Sequence, residues 1–327
     1  ITLYLCTVKT EIGQSIEKAA RFLSQGEVVG IPTETVYGLA ASAFNIDAVT
    51  KIFEVKGRPT FNPLIVHIAD SGDLTTISKN ISPLIFRLAA TFWPGPLTIV
   101  LDKKDVVPDL VTGGGDTVAV RMPDHPMALE LISLAGPLAA PSANPFGYIS
   151  PVSAEHVKNQ LEGKIPYILD GGDCKVGVES TVIMADDDGI IVLRYGGITI
   201  EALRAVVPDI KIQINQSSDP KSPGQLKSHY SPRTKLLLGD VNELSKHHAD
   251  KKLGILTFIP SASALPGNVC VSLTAKGNMS EAAKCLFTSL RILDNAEVDL
   301  IICERVPDHG LGLAINDRLE RAAADYH

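Results

Sequence analysis

Between Gly26 and Ile68 the chain runs apolar, polar, amphipathic, basic and apolar again. Val28-Val29-Gly30-Ile31 is an unbroken apolar run stopped by Pro32, as expected of a strand buried on both faces. Thr33-Glu34-Thr35 and Tyr37-Gly38 follow, so hydroxyls and a carboxylate stand just past that strand's C-terminal end. In open α/β sheets this edge is where ligands bind. A helix is predicted next, with Asp47 as N-cap and Ala48, Ile52 and Val55 on its apolar side. Lys56-Gly57-Arg58-Pro59 ends it, because glycine allows a tight turn and proline forbids continuation. After Asn62-Pro63, residues 64–68 predict a second buried strand carrying one histidine, His67. Strand, polar turn, helix, basic turn and strand read as one unit suited to an anion with hydroxyl groups.

Elsewhere, helical spacing covers 14–25, 82–92 and 126–135, and Ser153 caps a helix to about Leu161. Strands are predicted over 97–101, 117–122, 138–140 and 167–170, and over 180–184 paired with 190–194 across an acidic turn at Asp186-Asp187-Asp188. Residues 1–5 read as a first strand. This mixture predicts an α/β domain over 1–214 with an open, twisted, mixed sheet. Residues 215–232, rich in Ser, Pro, Gln and Lys, read as a linker. Over 233–327, strands at 235–238, 253–258, 269–273 and 300–303 alternate with helices at 280–295 and from about 313. That alternation predicts a smaller Rossmann-like α/β domain. No Gly-x-Gly-x-x-Gly follows a strand there, so no dinucleotide site is assigned.

Charge narrows the chemistry. Residues 1–208 hold 16 Lys and Arg against 23 Asp and Glu, whereas the remainder balances at 14 and 14. The net charge of −7 speaks against a general nucleic-acid binder. An anion site in the first domain must be a local cationic cluster, with Lys56, Arg58, Arg121 and Arg194 as candidates. The five cysteines lie far apart without Cys-x-x-Cys spacing, which points to reduced thiols and a cytoplasmic setting rather than disulfides or zinc. No apolar run approaches the roughly 20 residues of a membrane span. Gly113-Gly114-Gly115 lacks the Lys and Ser/Thr of a phosphate loop, and His247-His248 lacks further metal ligands at suitable spacing.

Taken singly, Lys56-Gly57-Arg58 is a helix end and Ser142-Ala143-Asn144, between Pro141 and Pro145, a turn. In order with Ser222-Pro223-Gly224 and His229-Tyr230-Ser231-Pro232, they resemble the signature of the YrdC-like threonylcarbamoyl-AMP synthases in their long, two-domain form. The resemblance covers nearly the whole chain. It implies a YrdC-like first domain and a nucleotidyltransferase that makes threonylcarbamoyl-AMP and pyrophosphate from L-threonine, bicarbonate or carbon dioxide, and ATP. The product would serve threonylcarbamoyladenosine formation in tRNA.

Residue roles follow from the same resemblance. Lys56 and Arg58 are implied as the catalytic pair at the triphosphate. Thr35, His67, Arg121, Ser180 and Thr181 are implied at L-threonine. Asn62, Thr117, Ser142, Asn144, Ser150, Arg194, His229 and Tyr230 are implied at ATP, with 216–232 closing over the site and Gly224 as hinge. Magnesium bound with ATP is the implied cofactor, without a protein metal site. The implied partner is the machinery that transfers threonylcarbamoyl to tRNA, with at most a weak RNA contact and no membrane. Two rival readings stay open: a double-stranded RNA-binding module, and a carbamoyl-transfer domain like that of the hydrogenase-maturation carbamoyltransferases.

Overall fold

The structure is a computed structural model and describes residues 9–186, 189–214, 229–260 and 267–324. The strand expected at 1–5, Asp187-Asp188 and most of the linker, Gly224 included, lie outside the described residues.

Local chemistry sets the elements. The helix Ile16–Ser24 starts where the Ser15 side chain accepts from Lys18 N, and it buries Ala19 and Leu23. Ser82 and Ser153 cap Pro83–Phe92 and Ala154–Leu161 in the same way. The helix Ile46–Lys56 departs from expectation at its start, because Asn45 and not Asp47 accepts from Ala48 N. Asp47 falls in the first turn, where its charge favours the helix dipole. At the other end Gly57 adopts a left-handed conformation, φ 61°, which a side chain would strain.

Twelve described strands form one mixed sheet: β1 Glu11–Gly13, β2 Val29–Ile31, β3 Gly38–Ser42, β4 Ile65–His67, β5 Ser78–Lys79, β6 Leu97–Lys103, β7 Thr117–Arg121, β8 Leu138–Ala139, β9 Tyr167–Leu169, β10 Thr181–Asp186, β11 Gly189–Arg194 and β12 Ile210–Ile212. Their order is β1-β9-β2-β3-β8-β4-β7-β6-β10-β11-β12, with β5 on β6. The strand β3 was not expected. The polar turn after β2 leads into an antiparallel partner, and only then into the helix. Its Gly-Leu-Ala-Ala-Ser sequence has none of the β-branched bulk that marks a strand. A second sheet, β13 Leu236–Leu238, β14 Leu253–Thr257, β15 Val269–Ser272 and β16 Leu300–Cys303, is parallel throughout in the order β13-β16-β14-β15.

Alternation decides which side chains meet the site. Val118, Val120, Ile99, Ile183 and Val192 face the main core, which also takes in Phe287 and Leu290 of the helix Met279–Asp294 beside the second sheet. Their neighbours Ala119, Val100, Val182 and Leu193 pack with Ile65 in a small apolar patch on the opposite face. Because residues two apart share a face, Arg121 and His67 rise from that second face, in register at the ends of parallel β7 and β4. Among the described residues no helix is long and apolar enough to cross a membrane, and Cys174, Cys270, Cys285 and Cys303 are free thiols.

Candidate active site

Beside the ends of β4 and β7 lies a cavity of about 50 Å³. Its walls come from segments spread between Thr33 and Tyr230: Thr33 and Val36 after β2, Arg58 from the basic turn, Ser142 from the proline-bounded turn, Ser180 before β10 and Arg194 at the end of β11, with His229 and Tyr230. The proline-bounded turn is stitched to β3: Leu39 N donates to Pro141 O and Ala143 N to Tyr37 O, both at 2.8 Å. His67, Arg121 and Glu179 complete the polar lining.

The cations are held by main chain, by the Ser180 hydroxyl and by one carboxylate. Lys56, 4% exposed, donates its Nζ to the carbonyls of Ser142 and Asn144, each at 2.5 Å. Burial, and then the charge of Arg58, pulls its pKa well below the ordinary lysine value. Arg58 donates Nε to Asn62 O (3.2 Å) and Nη2 to Pro63 O (2.8 Å), with the Phe146 ring 6.0 Å away. Burial above all, with Arg194 adding to it, lowers its pKa to about 9. Arg194 donates Nε and Nη2 to Ser180 O and Nη2 to Ser180 Oγ, and Ser180 Oγ lies 2.7 Å from Thr98 Oγ1. Arg121 Nη2 sits 2.7 Å from Glu34 Oε1, both side chains buried. That contact is an ion pair off the hydrogen-bond axis, and neither Glu34 oxygen finds a hydrogen-bond partner. Three guanidiniums and an ammonium crowded out of water make a strong local field for anions, in a domain that is acidic as a whole.

The neutral groups are equally constrained. Burial, then Arg121, holds His67 near a pKa of about 3, so its imidazole is uncharged at ordinary pH. His229 is pushed well below its usual value by burial and by Arg58 and Lys56, while burial raises Tyr230. These rings lie 4.1 Å apart between centroids, and Tyr230 stacks on Phe287 at 5.7 Å.

Of the side chains singled out in the sequence, Arg58, His67, Arg121, Ser142, Ser180, Arg194, His229 and Tyr230 line the cavity. Lys56 lies immediately behind Ser142. Thr35 stands one layer back, its Oγ1 2.9 Å from that of Thr33, which lines the cavity in its place. Asn62 is fully buried with neither amide atom partnered, and Asn144 donates Nδ2 to Pro145 O and Tyr148 O. Ser150 donates to Glu179 Oε1 at 2.6 Å, outside the lining. Thr181 is taken up by Ile198, donating to its carbonyl and accepting from its N–H, so it braces a turn. Thr117 shares the face of Arg121 but stands at the other end of β7, opposite Asp102, away from the cavity. Sequence reasoning missed Glu179, which joins Ser150 to Arg318 of the C-terminal helix (Nε···Oε2 3.0 Å). Nothing in the spacing of either residue announces that contact. Glu34, read only as part of a polar turn, is the partner of Arg121.

Two family profiles match the chain, one described as telomere recombination over residues 21–196, the other as the threonylcarbamoyl-AMP synthase C-terminal domain over 198–324. The second begins before β12, which still pairs with the first sheet. Over 320 residues the chain is 44% identical to a threonylcarbamoyl-AMP synthase of Bacillus subtilis (strain 168), covering 94% of this chain and 92% of that protein. It is 43% identical over 324 residues to the enzyme of that name from Pyrococcus abyssi, covering 94% of each. The crystal structure of P. abyssi Sua5 complexed with L-threonine superposes with a TM-score of 0.88 at 40% identity, over 96% of this chain and 97% of that one.

Proposed function

This chain belongs to the two-domain threonylcarbamoyl-AMP synthase family, and from that premise we infer that it makes threonylcarbamoyl-AMP and pyrophosphate from L-threonine, bicarbonate or carbon dioxide, and ATP. The observation that carries this reading is the convergence of Arg58, Arg121 and Arg194 beside uncharged His67 on one cavity. Residues from every part of the first domain meet there, although that domain has an acid excess.

In this reading the threonine nitrogen attacks the carbon of carbon dioxide, taken directly or formed from bicarbonate by loss of hydroxide. The N–C bond forms as one C=O π pair moves onto oxygen, and the nitrogen gives up a proton. A carbamate oxygen then attacks the α-phosphorus of ATP, and the bond to the bridging oxygen breaks, leaving its electron pair on pyrophosphate. No protein nucleophile is needed, and catalysis rests on positioning and on neutralising charge. Arg121, backed by Glu34, holds the threonine carboxylate in a bidentate fork. His67 offers a neutral ring beside it. Arg58 and Arg194 face the phosphates, and Lys56, behind Ser142, fixes the Ser142–Asn144 turn through its two carbonyl contacts. Magnesium would come with the triphosphate. Among the described residues no group of three or more His, Cys, Asp or Glu could hold a metal ion, and this ion is commonly bound through substrate phosphates and water.

A cavity of about 50 Å³ holds one or two waters, whereas small-molecule sites run to roughly 300–1,000 Å³. Substrate entry therefore displaces His229 and Tyr230, and their return shields a hydrolysable adenylate from water. The product is a reactive mixed anhydride, so a partner that passes its acyl group to tRNA is the natural consumer. The double-stranded RNA reading gains nothing from cations that are buried rather than displayed. Arg58→Ala is expected to lower magnesium-dependent pyrophosphate release by about 100-fold or more while the circular dichroism spectrum is retained. Undiminished release would refute the phosphate role of the basic turn.

A further inference from the structure

A second concavity, about 670 Å³ in volume, opens between the two sheets' domains and plays no part in the chemistry above. The helix Ala154–Leu161 supplies one wall with Asn159 and Gln160. Arg233 supplies another, and the helix Met279–Asp294 brings Arg291. Two guanidiniums flank the Tyr148 ring, Arg233 at 5.8 Å and Arg291 at 5.5 Å from its centroid. The nearby carboxylate, Asp294, is fully engaged: it accepts from Tyr148 Oη (2.6 Å), Thr234 N (2.9 Å) and Arg233 Nε (3.2 Å). Arg291, 7% exposed, has no such partner. Its Nη2 donates to Ile149 O at 2.6 Å, its terminal nitrogens meet the Gln160 amide oxygen in the orientation those neighbours demand, and its Nε has no acceptor. His156 adds no charge, since burial and Arg291 draw it down to about 4.

We propose that this interdomain cleft is a second binding site, for a small phosphate-bearing anion held between Arg233 and Arg291. A buried cation met only by neutral acceptors is poorly compensated, and an oxyanion supplies what is missing. Donors approach from several walls, the two arginines with the amides of Asn159 and Asn295, which suits a tetrahedral phosphate better than a flat carboxylate. A purely structural lock would have closed over these groups, whereas here Arg233 remains 71% exposed and the cleft is open.

Occupancy there reaches the catalytic cavity through a single loop. Tyr148, in the cleft, accepts from Asn144 Nδ2 at 2.9 Å, and Phe146 N donates to Lys56 O at 2.7 Å. Ser231, just after the histidine–tyrosine pair, donates its N–H to Gly147 O at 2.8 Å. An anion drawing on Arg291 thus pulls on the loop that also carries Ser142 and Asn144.

Calorimetric titration of the full chain with inorganic phosphate tests the site. Arg58→Ala, which removes one of the catalytic cavity's phosphate partners, is expected to keep phosphate binding in the cleft. Arg233→Ala and the introduced negative charge of Asn159→Asp, each made alone and with Arg58→Ala, are expected to weaken it about tenfold. Both single variants are expected to retain pyrophosphate release in phosphate-free buffer. The proposal is overturned if no phosphate binds, or if binding vanishes with Arg58→Ala yet survives Asn159→Asp and Arg233→Ala. Malonate binding more tightly than phosphate in the Arg58→Ala protein would overturn the assignment of the ligand as a phosphate.

Discussion

At the scale of single residues, the site is governed by what burial does to charge. Glu34 and Arg121 are 3% and 4% exposed, so neither charge is tolerable without the other. Glu34→Gln keeps the shape and removes the countercharge. The expected outcome is a threonine KM raised about tenfold with kcat little changed, the size of one lost charge-assisted contact. An unchanged KM in steady-state pyrophosphate assays would show that Arg121 needs no such support. His67 gives a pH signature. Its pKa is about 3 in the folded chain against an ordinary 6.5, so below that ordinary value the unfolded chain takes up a proton that the folded one refuses. Stability contributed by the neutral ring is complete above about pH 6.5 and falls as pH drops toward the folded value, by up to ~1.4 kcal/mol per unit. Urea midpoints for the wild type are therefore expected to fall more steeply between about pH 6.5 and pH 5 than those of His67→Asn. Parallel curves would contradict this.

Elements differ in how openly the sequence declares them. Ser153 announced its helix because a short hydroxyl side chain at that position has one obvious use, whereas 82–92 was legible from its apolar spacing. The start of Ile46–Lys56 was misread by two residues because Asn45 and Asp47 are both good caps, and only the chain's exit from β3 selects between them. Tight approaches are invisible in one dimension. At Gly196 a Cβ would stand 2.3 Å from Glu179 O and 2.4 Å from Thr181 N, so the turn after β11 lies directly on the entry to β10. Gly196→Ala is expected to displace Glu179 and Ser180, lowering the Tm by several degrees and activity with it. At Gly57 a Cβ would meet nothing within 4 Å, so Gly57→Ala bears only the left-handed strain, about 1–2 kcal/mol. Equal melting temperatures for Gly196→Ala and the wild type would refute the packing argument.

For the molecule as a whole, the C-terminal domain is part of the site's architecture. Arg318 is fully buried and donates to Glu179 Oε2, Asp317 Oδ2 and Tyr195 O, with its guanidinium 5.4 Å from the Tyr230 ring. Burial disfavours its charge, yet Tyr230, Glu179 and Asp317 outweigh that and raise its pKa. Arg318→Ala would leave Glu179 buried without its cation, a loss of about 3–5 kcal/mol. Lysine should not rescue it, since one ammonium cannot reproduce the fork that spans Glu179 and Tyr195. Thermal melts and pyrophosphate release check both expectations, and a stable, active Arg318→Ala would sink them.

By itself the sequence determined the α/β class, most helix ends and the cationic turn at Lys56-Gly57-Arg58. Those features depend on neighbours a few positions apart, where periodicity, caps and prolines act directly. Only the tertiary structure decided that Thr33 rather than Thr35 lines the cavity, that Thr181 braces a turn, that Thr117 stands apart, and that Glu34, Glu179 and Arg318 are the countercharges. Ion pairs between residues far apart in the chain leave no local trace, because their energy exists only once the sheet has brought them out of water.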